Sequence, residues 1–390
     1  MKIALVLPAV PGYSETFFQS KIKGLLSHGH QVIVITSKKD SKFVLCEQQV
    51  HPKIYKNKGL QLLMMVKVFL TLIPNFKAVI AYYKLEKKEV TPLKRILEKI
   101  FINGTLLKLK VDWLHFGFAT MAVNRELVAK SISAKLAVSF RGFDIAIYPL
   151  KHKGCYDLLW RKVDKVHTIS DDLLNLAYKL GLSKSTHVEK ITPAIDVSFF
   201  KSEGTNFNEQ VNFLTVARLH WKKGLIETLQ ALAELKKSKY HFTYTIVGDG
   251  IDKERIAYAI NQLGLKDYVF MVGKKSHKDL LSLYKKSNIY IQYSISEGFC
   301  NAVLEAQSMG LLCVVSDAEG LSENVIHGQT GWVVPKNDYL CLTNTLMEVI
   351  NLPLQKKKKI QETAINRVKN NFNLEQQQKA FLRFYNFKNN

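Results

Sequence analysis

The sequence predicts an α/β protein built from two doubly wound domains, each a parallel sheet covered by helices on both faces. Three observations carry that reading. The chain has 390 residues, long for a single hydrophobic core and natural for two. Short apolar, β-branched runs alternate with segments of helical period, which is how strands buried on both faces read in sequence. The alternation occurs as two series with one polar interruption between them.

The first series is KIALVL (2–7), QVIVIT (31–36), DWLH (112–115), KLAVSF (135–140) and KVHTI (165–169). The second is VNFLTVA (211–217), HFTYTIVG (241–248), YVFMVG (268–273), NIYIQYS (288–294), LLCVVS (311–316) and GWVV (331–334). Between them IDVSFFKSEGTNFNEQ (195–210) carries Gly, Ser and Asn and reads as an interdomain linker. The domains expected are therefore 1–200 and 201–372, followed by a terminal segment 373–390. Its helical pattern at 373–387 has no strand after it, and either ends the chain simply or packs across the junction. Ligands of such sheets bind at the carboxyl ends of the strands, so the site is expected in a central cleft that the two domains face.

Composition narrows the class. With 47% hydrophobic and 23% charged residues the chain is neither disordered nor dominated by membrane spans. Its cysteines form no CxxC pair or zinc-like spacing, so neither a disulfide framework nor a metal site is expected, and a reducing cytoplasm fits. The start MKIALVLPAVPGYSETF reads as a strand and loop, not a signal peptide. The longest apolar run, GLQLLMMVKVFLTLIP (59–74), is interrupted by Lys67 and reads as too short to span a bilayer. Net charge is +23, concentrated in residues 51–110, where 13 basic residues face 3 acidic ones. That basic, amphipathic region is either a solvated face or a surface for an anionic membrane; nucleic acid would require clustered aromatics or a recognition helix, and none is evident.

The chemistry gathers in SEGFCNAVLEAQSMG (296–310). It reads as a loop followed by a helix capped at Asn301 and ended by Gly310. Glu297 falls on the loop at the sheet's carboxyl edge and Glu305 just past the first helical turn. The helix start, with the amides of Asn301 and Ala302, favours an anion. Carboxylates repel phosphate, so the two glutamates are expected to accept hydrogen bonds from hydroxyls on either side of one. ARLHWKKG supplies cations in Arg218 and Lys223. IVGDG places Gly248 at a tight turn, but there is no full GxGxxG and no GxxxxGK[ST], which argues against a dehydrogenase or P-loop enzyme.

Together ARLHWKKG, IVGDG, SEGFCNAVLEAQSMG and VVSDAEGLSENVIHGQTGWVVP (314–335) resemble the retaining glycosyltransferases of family 4, which have the GT-B fold of two Rossmann-like domains. PGYSETFF, LHFGF, SFRGFDI and ITPAIDVSFF resemble the subgroup that builds exopolysaccharide of the colanic-acid or amylovoran type. The resemblance implies that Arg218, Lys223, Asn301 and Ala302 hold a donor diphosphate, that Glu305 and Gly248 hold the nucleoside, and that Glu297, Gly298, Phe299 and Cys300 hold the donor sugar. It implies catalytic roles for Glu297, as a positioning and electrostatic group, and for His115, which as a strand-end histidine is otherwise a packed residue. Glu15, Arg141 and Asp144 would face the acceptor. Arg141 stands where relatives carry histidine, Cys300 where they commonly carry glycine, and Glu15 caps a helix if it does not meet acceptor hydroxyls.

The expected function is a metal-independent, cofactor-free transfer of a hexose from a nucleotide sugar, most naturally UDP-linked, with retention of configuration. The acceptor would be a growing glycan or one carried on polyprenyl diphosphate, in surface polysaccharide assembly, with region 51–110 holding the cytoplasmic enzyme against the inner membrane face. A sugar epimerase using the same fold without an acceptor is the alternative enzyme, and a basic nucleic-acid binder the alternative from another class.

Overall fold

A computed structural model describes residues 1–11, 16–202 and 210–386. The chain divides into two compact units, one of residues 1–191 with 378–390, the other of residues 192–377. Residues 195–200, read from sequence as the start of a linker, belong to the second unit. There Ile195 donates its amide to Phe372 and the buried Phe200 packs on Tyr284.

The first unit holds β1 (Lys2–Val6), β2 (Gln31–Thr36), β3 (Glu47–Val50), β4 (Trp113–Phe116), β5 (Lys135–Phe140), β6 (Lys165–Thr168) and β7 (His187–Lys190). They form one sheet in the order β3-β2-β1-β4-β5-β6-β7, parallel throughout. The second holds β8 (Val211–Val216), β9 (Phe242–Val247), β10 (Val269–Met271), β11 (Ile289–Gln292), β12 (Leu312–Ser316) and β13 (Trp332–Val334), ordered β10-β9-β8-β11-β12-β13 and likewise parallel. Both are Rossmann-like, and both reverse strand order beside their first strand, where such sheets open a crevice for ligands. In the second unit that crevice lies between β8 and β11.

Every strand anticipated from an apolar run is present. The two that were missed, β3 (EQQV) and β7 (HVEK), are the outer strands of the first sheet, with exposed ends and half-buried middles. An edge strand covers less apolar surface and so carries a weaker signal.

The last helix, Leu374–Tyr385, begins in the second unit and ends in the first. Its Phe381, Phe384 and Tyr385 are fully buried among Ile3, Leu5, Ile22, Val34 and Trp113, and the Trp113 indole donates to the Tyr385 carbonyl at 3.2 Å. A segment distant in sequence thus completes the first core.

One reading is corrected. The apolar run at 59–74 does not stop at Pro74. Helix Lys58–Leu72 passes through a single tight turn, Ile73–Asn75, into helix Phe76–Lys88, because proline is tolerated among the opening residues of a helical turn, where Pro74 stands second. The resulting 31-residue rod is long and apolar enough to cross a bilayer by length and composition.

Candidate functional site

The second unit brings together the residues singled out around SEGFCNAVLEAQSMG. Arg218 follows β8 and is exposed; Lys223 ends the turn Trp221–Lys223. Gly224 follows in the left-handed region, φ 58°, and a Cβ there would meet the Tyr293 carbonyl oxygen at 1.8 Å. Only glycine lets the cationic turn lie this close to the strand end of β11. The loop after β11 is tied to the same turn, with the Ile295 amide donating to the Lys222 carbonyl at 2.7 Å. Glu297 is thereby brought onto Lys223, and the two form an ion pair. Burial alone would lower the Lys223 pKa, but the facing Glu297 carboxylate holds it above the usual lysine value.

Gly248 plays the corresponding part after β9. Its φ is 143° and a Cβ would strike the Ala217 carbonyl at 1.8 Å, so the β9 turn packs directly on the segment leading to Arg218.

The helix anticipated from Asn301 is Asn301–Ser308, but its cap is Cys300, and Asn301 is the first helical residue. No side chain caps it, so the first amides, including those of Asn301 and Ala302, keep their capacity to bind an anion. The Cys300 thiol is buried, and burial followed by the Glu297 charge pushes its pKa up to about 12, the Lys223 charge opposing the shift only in part. Such a thiol is not a nucleophile. Phe299 is buried against Phe372, ring centroids 5.7 Å apart, and Gly298 before it is buried as well.

Glu305 accepts a hydrogen bond from the buried Tyr284 hydroxyl at 2.9 Å. Burial raises its pKa to about 7, the Tyr284 bond opposing the shift. Tyr284 was not anticipated, nor were two residues from the β12–β13 connection. Glu319 accepts the Glu297 amide at 2.6 Å and pairs with Lys336. Asn324, fully buried, clamps Cys300 by accepting its amide at 3.1 Å and donating to its carbonyl at 2.9 Å. Arg367 in turn donates to the carbonyls of Asn324 and Glu323 at 2.7 and 2.8 Å. The signal was present in DAEGLSEN (317–324), whose polar residues follow a buried strand directly.

The candidates in the first unit are occupied otherwise. Glu15 lies outside the described residues. Asp144 is buried and accepts the amides of Arg141, Gly142 and Ala119 at 2.9–3.0 Å; burial raises its pKa despite those bonds. Its carboxylate therefore holds a loop in place. The Arg141 guanidinium stacks over Phe17 at 4.0 Å and Phe18 at 4.9 Å.

His115 is fully buried. It lies in a chain of bonds whose direction is fixed from one end. His167 Nε2 must donate to the Ile191 carbonyl at 2.9 Å, so Nδ1 of the neutral ring accepts from Ser139 Oγ at 2.7 Å. Ser139 then accepts from His115 Nε2 at 2.7 Å, leaving His115 Nδ1 to accept from the Tyr385 hydroxyl at 2.6 Å. Burial, then the charge of the nearby Lys21, holds both rings well below the usual histidine pKa. This histidine is a packed, fully bonded residue.

Residues 197–367 match the family described as "Glycosyl transferases group 1". WcaL of Salmonella typhimurium, named for colanic acid biosynthesis, is 27% identical over 372 residues, covering 89% of this chain and 90% of that one. AmsK of Erwinia amylovora, an amylovoran biosynthesis glycosyltransferase, is 28% identical over 252 residues, 60% of each chain. Among solved structures, Anabaena HepE in complex with UDP and glucose superposes with a TM-score of 0.72 at 17% identity, over 98% of both chains. A parallel sheet reversed between β8 and β11, carrying a matched group 1 domain beside a second Rossmann-like unit, makes this chain a glycosyltransferase of the GT-B fold.

Proposed function

We propose that the protein transfers a hexose from a nucleotide sugar, UDP-linked, to a growing glycan or a polyprenyl-diphosphate-linked acceptor, with retention of configuration and without a metal. The reading places this step in exopolysaccharide assembly at the cytoplasmic face of the membrane. The observation that supports it best is the pairing of Lys223 with Glu297 beside an uncapped helix start. A diphosphate seated there meets Lys223, Arg218 and the amides of Asn301 and Ala302. Glu305 then accepts from the ribose hydroxyls beside Gly248. Glu297, with the backbone of Gly298, Phe299 and Cys300, orients the sugar on the other side.

The chemistry follows from charge. As the sugar leaves, negative charge grows on the diphosphate, and fixed cations and amides aimed at it are worth more than in water because they need no reorganisation. The role of those cations is the one a divalent metal fills elsewhere. HepE, whose complex holds UDP and glucose, lends the donor class, and WcaL and AmsK lend the polysaccharide context.

The test is a thermal-shift screen against a panel of nucleotide sugars, followed by NMR of the product with and without acceptor. A UDP-hexose should give the largest shift and an acceptor-dependent product of unchanged anomeric configuration. No shift with any nucleotide sugar, or conversion of the sugar without acceptor, defeats the reading.

A further inference from the structure

The rod Lys58–Lys88 presents an apolar stripe to solvent. Leu63, Val66, Leu70, Ile73, Phe76 and Ile80 recur at spacings of three and four, one helical face, and all six are exposed, by between 46% and 63%. A contiguous stripe of this kind on a folded surface marks an interaction site. Beside it Phe69, Val79 and Leu97 line a shallow apolar groove.

Charge says what covers it. Lys67 and Lys77 each follow a stripe residue by one position, so their ammonium groups flank the stripe while their stems extend it. Further lysines, Lys84, Lys87 and Lys88, crowd the rod's end. The acids nearby are withdrawn. Glu86 is buried and held by Lys99 at 2.9 Å, and Glu89 is bound by Lys162 at 2.7 Å and Arg161 at 3.2 Å. The exposed face therefore offers hydrocarbon edged by uncompensated positive charge.

We propose that this rod is a membrane anchor that lies in the plane of an anionic bilayer, its stripe sunk among the acyl chains and its lysines among the headgroup phosphates. It does not cross. The second half of the rod is fastened to the first unit: Tyr82 is fully buried and bonded by Asn103 at 3.2 Å, and Glu86 would leave its buried ion pair. A crossing rod would also carry Lys67 and Lys77 in its middle. Charge alone would give adsorption that salt abolishes, whereas the stripe adds a component that salt does not remove. The anchor is independent of the sugar-transfer reading and can fail separately from it.

The test is flotation of the full chain with vesicles of phosphatidylcholine, with and without phosphatidylglycerol, at about 0.1 M and about 1 M salt. Strong binding to the anionic vesicles is expected, with a fraction persisting at high salt and released by alkaline carbonate. Leu63→Ser/Leu70→Ser/Phe76→Ser should lose that persistent fraction at least tenfold. Lys67→Gln/Lys77→Gln/Lys84→Gln should lose only low-salt binding, and both variants should keep the native circular dichroism and the nucleotide-sugar thermal shift. Complete loss of wild-type binding at high salt, equal binding to vesicles lacking phosphatidylglycerol, unchanged binding by the serine variant, or resistance to carbonate overturns the proposal. So does a lipid-free dimer that the serine variant dissolves, since the face would then belong to a second copy.

Discussion

Lys223 and Glu297, 74 positions apart in the chain, form an ion pair with side chains only 20% and 17% exposed. The cation expected to meet a diphosphate is thus already engaged by the carboxylate expected to orient the sugar. Glu297→Gln should leave UDP affinity equal or tighter, because Lys223 is released, while kcat falls by about a hundredfold, the scale of losing one preorganised transition-state group. Lys223→Met should instead weaken UDP about tenfold or more and lower Tm, since Glu297 is left partly buried without its cation. Isothermal titration and steady-state kinetics on both variants check this; equal, mild effects from the two would remove the assignment.

Glu305 gives a pH signature. Burial raises its pKa to about 7, above the unfolded value. The folded state therefore holds a proton that the unfolded state has lost between about pH 4.5 and 7, and stability falls as pH rises through that window. Glu305→Gln should raise Tm more at pH 8 than at pH 5, by a difference on the order of 2 kcal/mol in stability. Ribose hydroxyls donate, and the ionised carboxylate accepts from them more strongly than the neutral acid does. Wild-type UDP affinity should drop as pH falls below about 7, and the Gln variant, weaker throughout, should show a flat profile.

Asn324 satisfies both backbone groups of Cys300. Asn324→Ala leaves a buried amide and carbonyl unpaired and should cost about 2–3 kcal/mol by chemical denaturation. Because it frees the segment between Glu297 and the helix start, kcat should fall more than UDP affinity does.

The His115 chain predicts a separation of a different kind. His115→Ala strands Ser139 and the Tyr385 hydroxyl in the first core and should cost about 2–3 kcal/mol, with UDP affinity in the second unit unchanged. A variant of full stability with abolished turnover would return His115 to the chemistry.

Thiol reactivity completes the set. In the native protein an alkylating reagent should modify Cys46, Cys155 and Cys341, which are partly exposed, and spare the buried Cys300 and Cys313. Mass spectrometry before and after unfolding reads this directly.

Much of this was legible in the sequence because buried parallel strands are continuous apolar runs and because Gly224 and Gly248 sit at turns no other residue could make. The placing of Glu297 on a loop and Glu305 within the helix that follows was legible from their spacing. What stayed hidden depends on contacts between distant segments. The cap at Cys300 needs Asn324 on its backbone, Glu305 needs Tyr284, and His115 is read correctly only once Tyr385 is seen beside it. The rod through Pro74 was misjudged because the apolar run was counted only to 74 and as interrupted at Lys67, although the proline falls in the opening of a turn that the helix passes through.

The burial of Phe381, Phe384 and Tyr385 against β1 and β4 bears on how the protein is made. Strands synthesised first must wait for residues near 385 to leave the ribosome before their core can close. The second unit, whose sheet is contained within residues 211–334, can finish folding earlier. Synthesis thus yields the second unit's sheet before the first unit's core can close, with an open apolar face on the older half of the chain until the last helix docks.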